Sequence, residues 1–241
     1  LSDDLSGRAM SVQDEKKLCV NFISSLKNIC CDAQFLITET KKENIVGLHW
    51  VGLENNGGAN VAFLNRGTRG YFYERDRGML RNVLAWGPES WIYASDNSIT
   101  RGRSRYTALK GRQTFEYAIL PYKTRLEAQK AALDFQLPLT AQATCAKKGS
   151  LPSSKSFLAV EPHQIIITSI FVRNGKIYAR LWNASEEAAR AILHVDGGAR
   201  LWAVDFNLEH EEALSDFHVP MRPWGIQTVR IAPDGNRGGM G

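Results

Sequence analysis

The chain has 241 residues, of which 44% are hydrophobic and 23% charged, the make-up of a soluble globular protein of one large or two ordinary domains. No apolar run approaches the roughly 20 residues that a membrane-spanning helix needs, so a membrane partner is not expected. The formal net charge of +5 raises nucleic acid as a partner, and Arg101, Arg103, Arg105, Lys110 and Arg112 do cluster around Tyr106. No nucleic-acid-binding motif accompanies them, so the expectation is a solvated basic face and no nucleic acid.

The first residue is Leu1 and no secretory signal is visible, which reads as a piece of a longer protein or a processed chain. The four cysteines, Cys19, Cys30, Cys31 and Cys145, include an adjacent pair and no Cys-x-x-Cys spacing. That argues against a structural zinc site and a disulfide framework, and for reduced thiols in a cytoplasmic protein.

In chain order, residues 12–23 fit either a strand or a helix: Leu18, Val20 and Phe22 alternate, but charged residues precede them. Residues 45–53 form one apolar stretch containing Trp50, and Asn55-Asn56-Gly57-Gly58 is a turn, because asparagine and glycine tolerate positive φ. Strands are expected over 59–64, 71–74 and 79–86, with glycine-bearing turns at Asn65-Arg66-Gly67 and Asp76-Arg77-Gly78. A short strand over 91–94 leads into a polar segment, 95–105, read as an irregular loop. That loop carries Asp96, Asn97, Arg101 and Arg103, which are the candidate carbohydrate-binding residues, since loops displayed from a rigid scaffold often hold function.

Residues 114–121 alternate like a strand, with Phe115, Tyr117 and Ile119 expected to pack the core and Pro121 to end it. A single helix follows, opened by Thr124-x-x-Glu127, the pattern of a capping box. Residues 146–156 have linker composition. The domains are therefore expected at 1–150 and 151–234, with a disordered Gly-rich tail at 235–241. The second domain reads as strands over 165–172, 176–182, 188–195, 200–205 and 225–232, the first pair joined by Arg173-Asn174-Gly175, whose Asn-Gly favours a type I′ hairpin. This fits a small immunoglobulin-like β-sandwich.

No nucleophile elbow, phosphate loop or dinucleotide fingerprint occurs. The five histidines, His49, His163, His194, His210 and His218, show no metal-ligand spacing and no pairing with a carboxylate, so neither a metal site nor catalytic residues are expected. His210 among Glu209, Glu211 and Glu212 reads as an exposed loop between strands.

One resemblance runs through most of the chain. His49-Trp50-Val51-Gly52-Leu53, then Asn60 to Tyr71, resembles the C-terminal β region of glycoside hydrolase family 38, the α-mannosidases. Gly111-x-x-x-Phe115-x-Tyr117-Ala118-Ile119-Leu120-Pro121, Leu137-Pro138-Leu139 and Arg180-Leu181-Trp182-Asn183 are similar to later landmarks in the same order. The chain departs from that pattern at Val83-Leu84-Ala85-Trp86, Leu109, Gln113 and Tyr122. The resemblance implies an all-β fold, with a galactose-mutarotase-like supersandwich region ahead of the small sandwich. It implies a parent enzyme hydrolysing α-mannosides with retention, whose zinc-binding and nucleophilic residues lie in a separate N-terminal catalytic domain. On that basis this chain is the non-catalytic C-terminal portion, with no cofactor of its own. Its partners are that catalytic domain and an α-mannoside-containing carbohydrate. The alternative is a carbohydrate-binding or mutarotase-like module acting on its own.

Overall fold

Alternating apolar residues demand a second layer to bury them against, and the computed structural model supplies it as four antiparallel sheets. The structure describes residues 9–55, 60–95, 98–102, 112–145, 149, 152–215 and 217–233, with backbone alone at 9–16, 86–95 and 98–102. The chain is all-β apart from one α-helix among these residues. It divides into two units, Leu1–Ala33 with Ile37–Pro138, and Gln34–Leu36 with Leu139–Gly241.

The first unit contains β1 (Ala9–Ile23), β2 (Asn28–Ala33), β3 (Leu36–Thr40), β4 (Asn44–Val46), β5 (Trp50–Glu54), β6 (Asn60–Asn65), β7 (Gly70–Glu74), β8 (Met79–Ser95), β9 (Ser98–Gly102), β10 (Tyr117–Tyr122) and helix α1 (Arg125–Gln136). One sheet runs β1-β8-β7-β4 with β9 on β8, and the other runs β10-β6-β5-β2-β3. Ile29, Cys31, Val51, Leu53 and Phe63 from one sheet meet Ile45, Tyr71, Tyr73 and Leu80 from the other in a common core.

The undecided residues 12–23 are strand because β1 pairs with β8 along its length, with a slip at Leu18/Cys19. Phe22 then reaches the core, its ring 4.2 Å from that of Phe63. The apolar stretch 45–53 is two strands, β4 and β5, separated by a bend at Gly47–His49. The expected loop at 95–105 contains β9, paired in register with β8.

β10 corrects the expectation for Tyr117 and Ile119. Both lie on the sandwich side, but β10 is an edge strand and they remain 45% and 55% exposed. The buried member of β10 is Tyr122, on the opposite side. Pro121 sits inside the strand, which an edge position tolerates because its missing N–H faces away from the ladder.

That opposite side is covered by α1. Thr124 caps it as the sequence pattern requires: its hydroxyl accepts from Glu127 N at 3.2 Å, and the Glu127 carboxylate accepts from Thr124 N at 3.1 Å. The helix lays Ala128, Gln129 and Ala132 against the sheet. Its far end is fastened by Arg66, which donates to the Phe135 carbonyl and pairs with Glu116.

The second unit holds β11 (Leu158–Glu161), β12 (Ile165–Arg173), β13 (Lys176–Asn183), β14 (Ala189–Val195), β15 (Ala199–Val204), β16 (Glu211–Leu214), β17 (His218–Met221) and β18 (Ile226–Pro233). Sheets β11-β14-β17 and β12-β13-β18-β15-β16 enclose a core of Ile165, Leu181, Leu193, Leu201, Val219, Met221, Val229 and Ile231. Asn174 and Gly175 turn the β12–β13 hairpin at φ 51° and 72°, the two positive values a type I′ turn needs.

Candidate functional site

β5 is clasped at both ends by buried polar groups. At its start, Asp32, near the end of neighbouring β2, reaches into the Gly47–His49 bend. Its Oδ1 accepts from His49 N at 2.8 Å and Trp50 N at 3.0 Å, and its Oδ2 lies 2.5 Å from His49 Nδ1. Its carbonyl accepts from Leu48 N at 3.1 Å. The Asp32 side chain is 1% exposed and the His49 ring 29%. An aspartate facing Nδ1 fixes the tautomer with the proton there, which leaves the Nε2 lone pair as an acceptor. The bend is braced further by Asn65, whose N donates to the His49 carbonyl at 2.8 Å and whose Nδ2 donates to the Gly47 carbonyl at 3.3 Å. Burial raises the Tyr71 phenol well above its ordinary range, so it stays neutral behind them.

The expectation that no histidine pairs with a carboxylate is therefore corrected. Asp32 and His49 are 17 positions apart in sequence; antiparallel pairing of Cys31 with Val51 brings them together. The signal available in sequence was a carboxylate ending the apolar run Ile29-Cys30-Cys31. The arrangement orients one imidazole as a base. It does not supply the second, opposing acid that an epimerising site needs, because Asp32 is consumed in holding the ring.

At the other end of β5, Glu54 gathers four donors. Its Oε1 accepts from Tyr122 OH at 2.7 Å, Arg125 Nε at 2.9 Å and Cys30 Sγ at 3.3 Å, and its Oε2 accepts from Arg125 Nη2 at 2.7 Å. Burial by itself would raise the Glu54 carboxyl. The hydrogen bonds from Arg125, Tyr122 and Cys30, with the Arg125 charge, outweigh it and hold the group below the ordinary range. Burial pushes both the Cys30 thiol and the Tyr122 phenol far up, so neither ionises near neutrality and Cys30 is no nucleophile. The cluster needs Gly52 between its members: a Cβ there would lie 2.5 Å from Tyr122 OH and 2.7 Å from Cys30 Sγ. Between the two clasps, Trp50 Nε1 donates to Gln129 Oε1 at 3.0 Å, joining the strand to α1.

In the second unit, Asp205, Glu209 and His210 bring carboxylate and imidazole atoms within 4.8 Å of one another. Asp205 already closes this loop, accepting from His210 Nδ1 at 3.0 Å and Glu209 N at 2.8 Å. Those bonds, led by the one from His210, hold its carboxyl below the ordinary range. Glu211 and Glu212, read from sequence as loop, lie on β16, and Glu211 pairs with Lys176 and Arg230.

Of the sequence-derived candidates, Arg101 lies on β9 opposite Ile92, while Asp96, Asn97 and Arg103 lie outside the described residues. Among the described residues, no helix is long and apolar enough to cross a membrane.

No protein-family model matches the sequence, and no curated protein matches it either. Solved structures do match by shape. The chain is similar to an α-mannosidase from Enterococcus faecalis V583 at a TM-score of 0.63 and 18% identity, over 89% of this chain and 25% of that one. It is similar also to a protein in glycosyl hydrolase family 38 from Enterococcus faecalis, at a TM-score of 0.61 and 17% identity, over 89% and 26%. The chain thus spans about a quarter of the length of these structures and has the all-β fold of that portion of them.

Proposed function

We propose that the chain is the β-rich, non-catalytic portion of an α-mannosidase-type glycoside hydrolase, supporting a separate catalytic domain and lining part of its sugar cleft. The observation that carries this reading is the fold match over 89% of this chain to a quarter of a solved α-mannosidase, together with the ordered landmarks from Trp50 to Trp182. On this reading the partners are that catalytic domain and an α-mannoside, the compartment is the cytoplasm, and zinc belongs to the catalytic domain rather than to this chain. Asp96, Asn97, Arg101 and Arg103 are the residues proposed to face sugar.

The test is hydrolysis of an aryl α-mannoside by the 241-residue chain and by the native polypeptide that carries it. Turnover is expected from the native polypeptide and none from the chain alone. Hydrolysis by the chain alone, or none by the native polypeptide, overturns the proposal.

A second reading is a carbohydrate-binding or mutarotase-like module acting on its own, in which His49 Nε2 takes the proton of the anomeric hydroxyl and solvent protonates the ring oxygen, since Asp32 is taken up in holding the imidazole. It requires the chain alone to accelerate sugar anomer interconversion and His49→Ala to abolish that acceleration. Failure of either leaves the first reading in place.

A further inference from the structure

The sheet β1-β8-β7-β4 buries one face in the sandwich and carries, on the other, a groove of about 640 Å³ around Phe72. Tyr71 and Tyr73 are each 2% exposed in the core, so Phe72 between them points outward. Across four strands the register sets one row on this outer face: Asn44 opposite Phe72, Phe72 opposite Arg81, and Arg81 opposite Asn21. At about 4.8 Å between strands the row is about 14 Å long. An adjoining depression of about 390 Å³ opens over Val46, Gly70 and Val83, where Gly70 contributes no side chain.

The chemistry of the row is specific. An aromatic ring lies in the middle, and an exposed amide stands at each end. Among the described residues, the Asn21 and Asn44 side chains make no hydrogen bond, so their donors and acceptors are open. Arg81 is fixed by Glu74, Nη2 to Oε1 at 2.6 Å, and its Nε is buried, so Nη1 is the donor it can offer a ligand. Lys17 lies over Phe72, its Nζ 4.4 Å from the ring centroid, so a ligand on that ring competes with the ammonium. The charged residues of the lining, Lys17 and Arg81 against Glu43 and Glu74, cancel. A charged ligand gains nothing there, and an apolar one leaves the amides unpaired.

A pyranose meets each condition. Its C–H face replaces the ammonium over the ring, and its hydroxyls both donate and accept. We propose that this groove binds a neutral glycan, one sugar stacked on Phe72 and its hydroxyls taken by Asn21, Arg81 and Asn44. The choice of mannose as the first sugar rests on the proposed function; the groove does not.

The experiment titrates the ¹⁵N-labelled chain with α-mannobiose, cellobiose and xylobiose at millimolar concentrations and maps the amide shifts. Shifts confined to the strands around Asn21, Asn44 and Phe72 are expected, and Phe72→Ala should weaken binding about tenfold. Gly70→Val guards against a folding defect. A Cβ there lies 3.8 Å from Val83 Cβ, ordinary contact, so the variant fills the adjoining depression beside Phe72 with the sheet intact, crowds a sugar stacked on that ring and should also weaken binding about tenfold. No shifts with any disaccharide, shifts elsewhere only, or unchanged affinity in Gly70→Val overturn the proposal. Binding of cellobiose or xylobiose here without mannobiose upholds the groove and counts against the mannoside reading. α-Mannosidase activity in the native polypeptide with no binding here does the reverse.

Discussion

Replacing Asp32 should separate its two tasks, bracing the bend and setting the His49 tautomer. Asp32→Ala removes the acceptor of His49 N, Trp50 N and His49 Nδ1 together. Trp50 is 0% exposed, so its N–H finds no water, while the half-exposed His49 ring regains some. Two amides stranded at about 1–2 kcal/mol each, with a smaller loss at the ring, give a cost of about 3 kcal/mol. With a urea dependence of about 1.5 kcal/mol per molar for a unit of this size, the midpoint of the first unit should fall by about 2 M. Asp32→Asn keeps a carbonyl oxygen for the two amides but turns an NH₂ toward Nδ1, so it should cost only about 1–2 kcal/mol. The imidazole proton should move from Nδ1 to Nε2, which the ring ¹⁵N shifts read directly. Equal losses in the two variants, or an unchanged tautomer in Asp32→Asn, would refute the assignment of roles.

Two further outcomes follow from the β5 region. The Glu54 carboxyl is held below its ordinary value of 4.5, so the stability it contributes is fully present above that pH and is lost as pH falls through the lower folded value. The stability gap between the parent chain and Glu54→Gln should therefore be constant from pH 7 to about pH 5 and close below about 4.5, read from urea midpoints; a gap independent of pH argues against an ionised, paired Glu54. Gln129→Leu leaves Trp50 Nε1 without its acceptor inside a sealed contact and should cost about 1–3 kcal/mol, visible as early loss of α1 ellipticity on heating. A neutral outcome would mean that the indole finds another acceptor.

What sequence reading recovered depended on whether the signal was local. Thr124-x-x-Glu127 and Asn174-Gly175 act within a few residues, and both appear as expected. The face of β10 did not, because alternation identifies two faces without saying which one a helix will cover: α1 buries Tyr122 and leaves Tyr117 and Ile119 at the edge. The stretch 45–53 looked continuous because its apolar content hides a bend whose cause, Asp32, lies on another strand. The Glu54 cluster draws on residues as far apart as Cys30 and Arg125, and the groove row on Asn21, Asn44, Phe72 and Arg81. These sets exist only after strand pairing. The short strands β11, β16 and β17 carry too few residues for a period to declare itself.

The two sheets of the first unit have different freedom to bind anything. Sheet β10-β6-β5-β2-β3 turns its outer face to α1, and the polar groups there, Glu54, Tyr122, Arg125, Cys30 and Gln129, satisfy one another. Such a buried network stabilises the fold, and its paired groups are not open to a ligand. Among the described residues, no helix covers sheet β1-β8-β7-β4 around Phe72, and its Asn21 and Asn44 amides, spare among those residues, face solvent on an outward row. Sugar binding needs polar groups that are positioned yet not already paired. The sheet supplies the positioning through its register, and the exposed face supplies the unpaired groups.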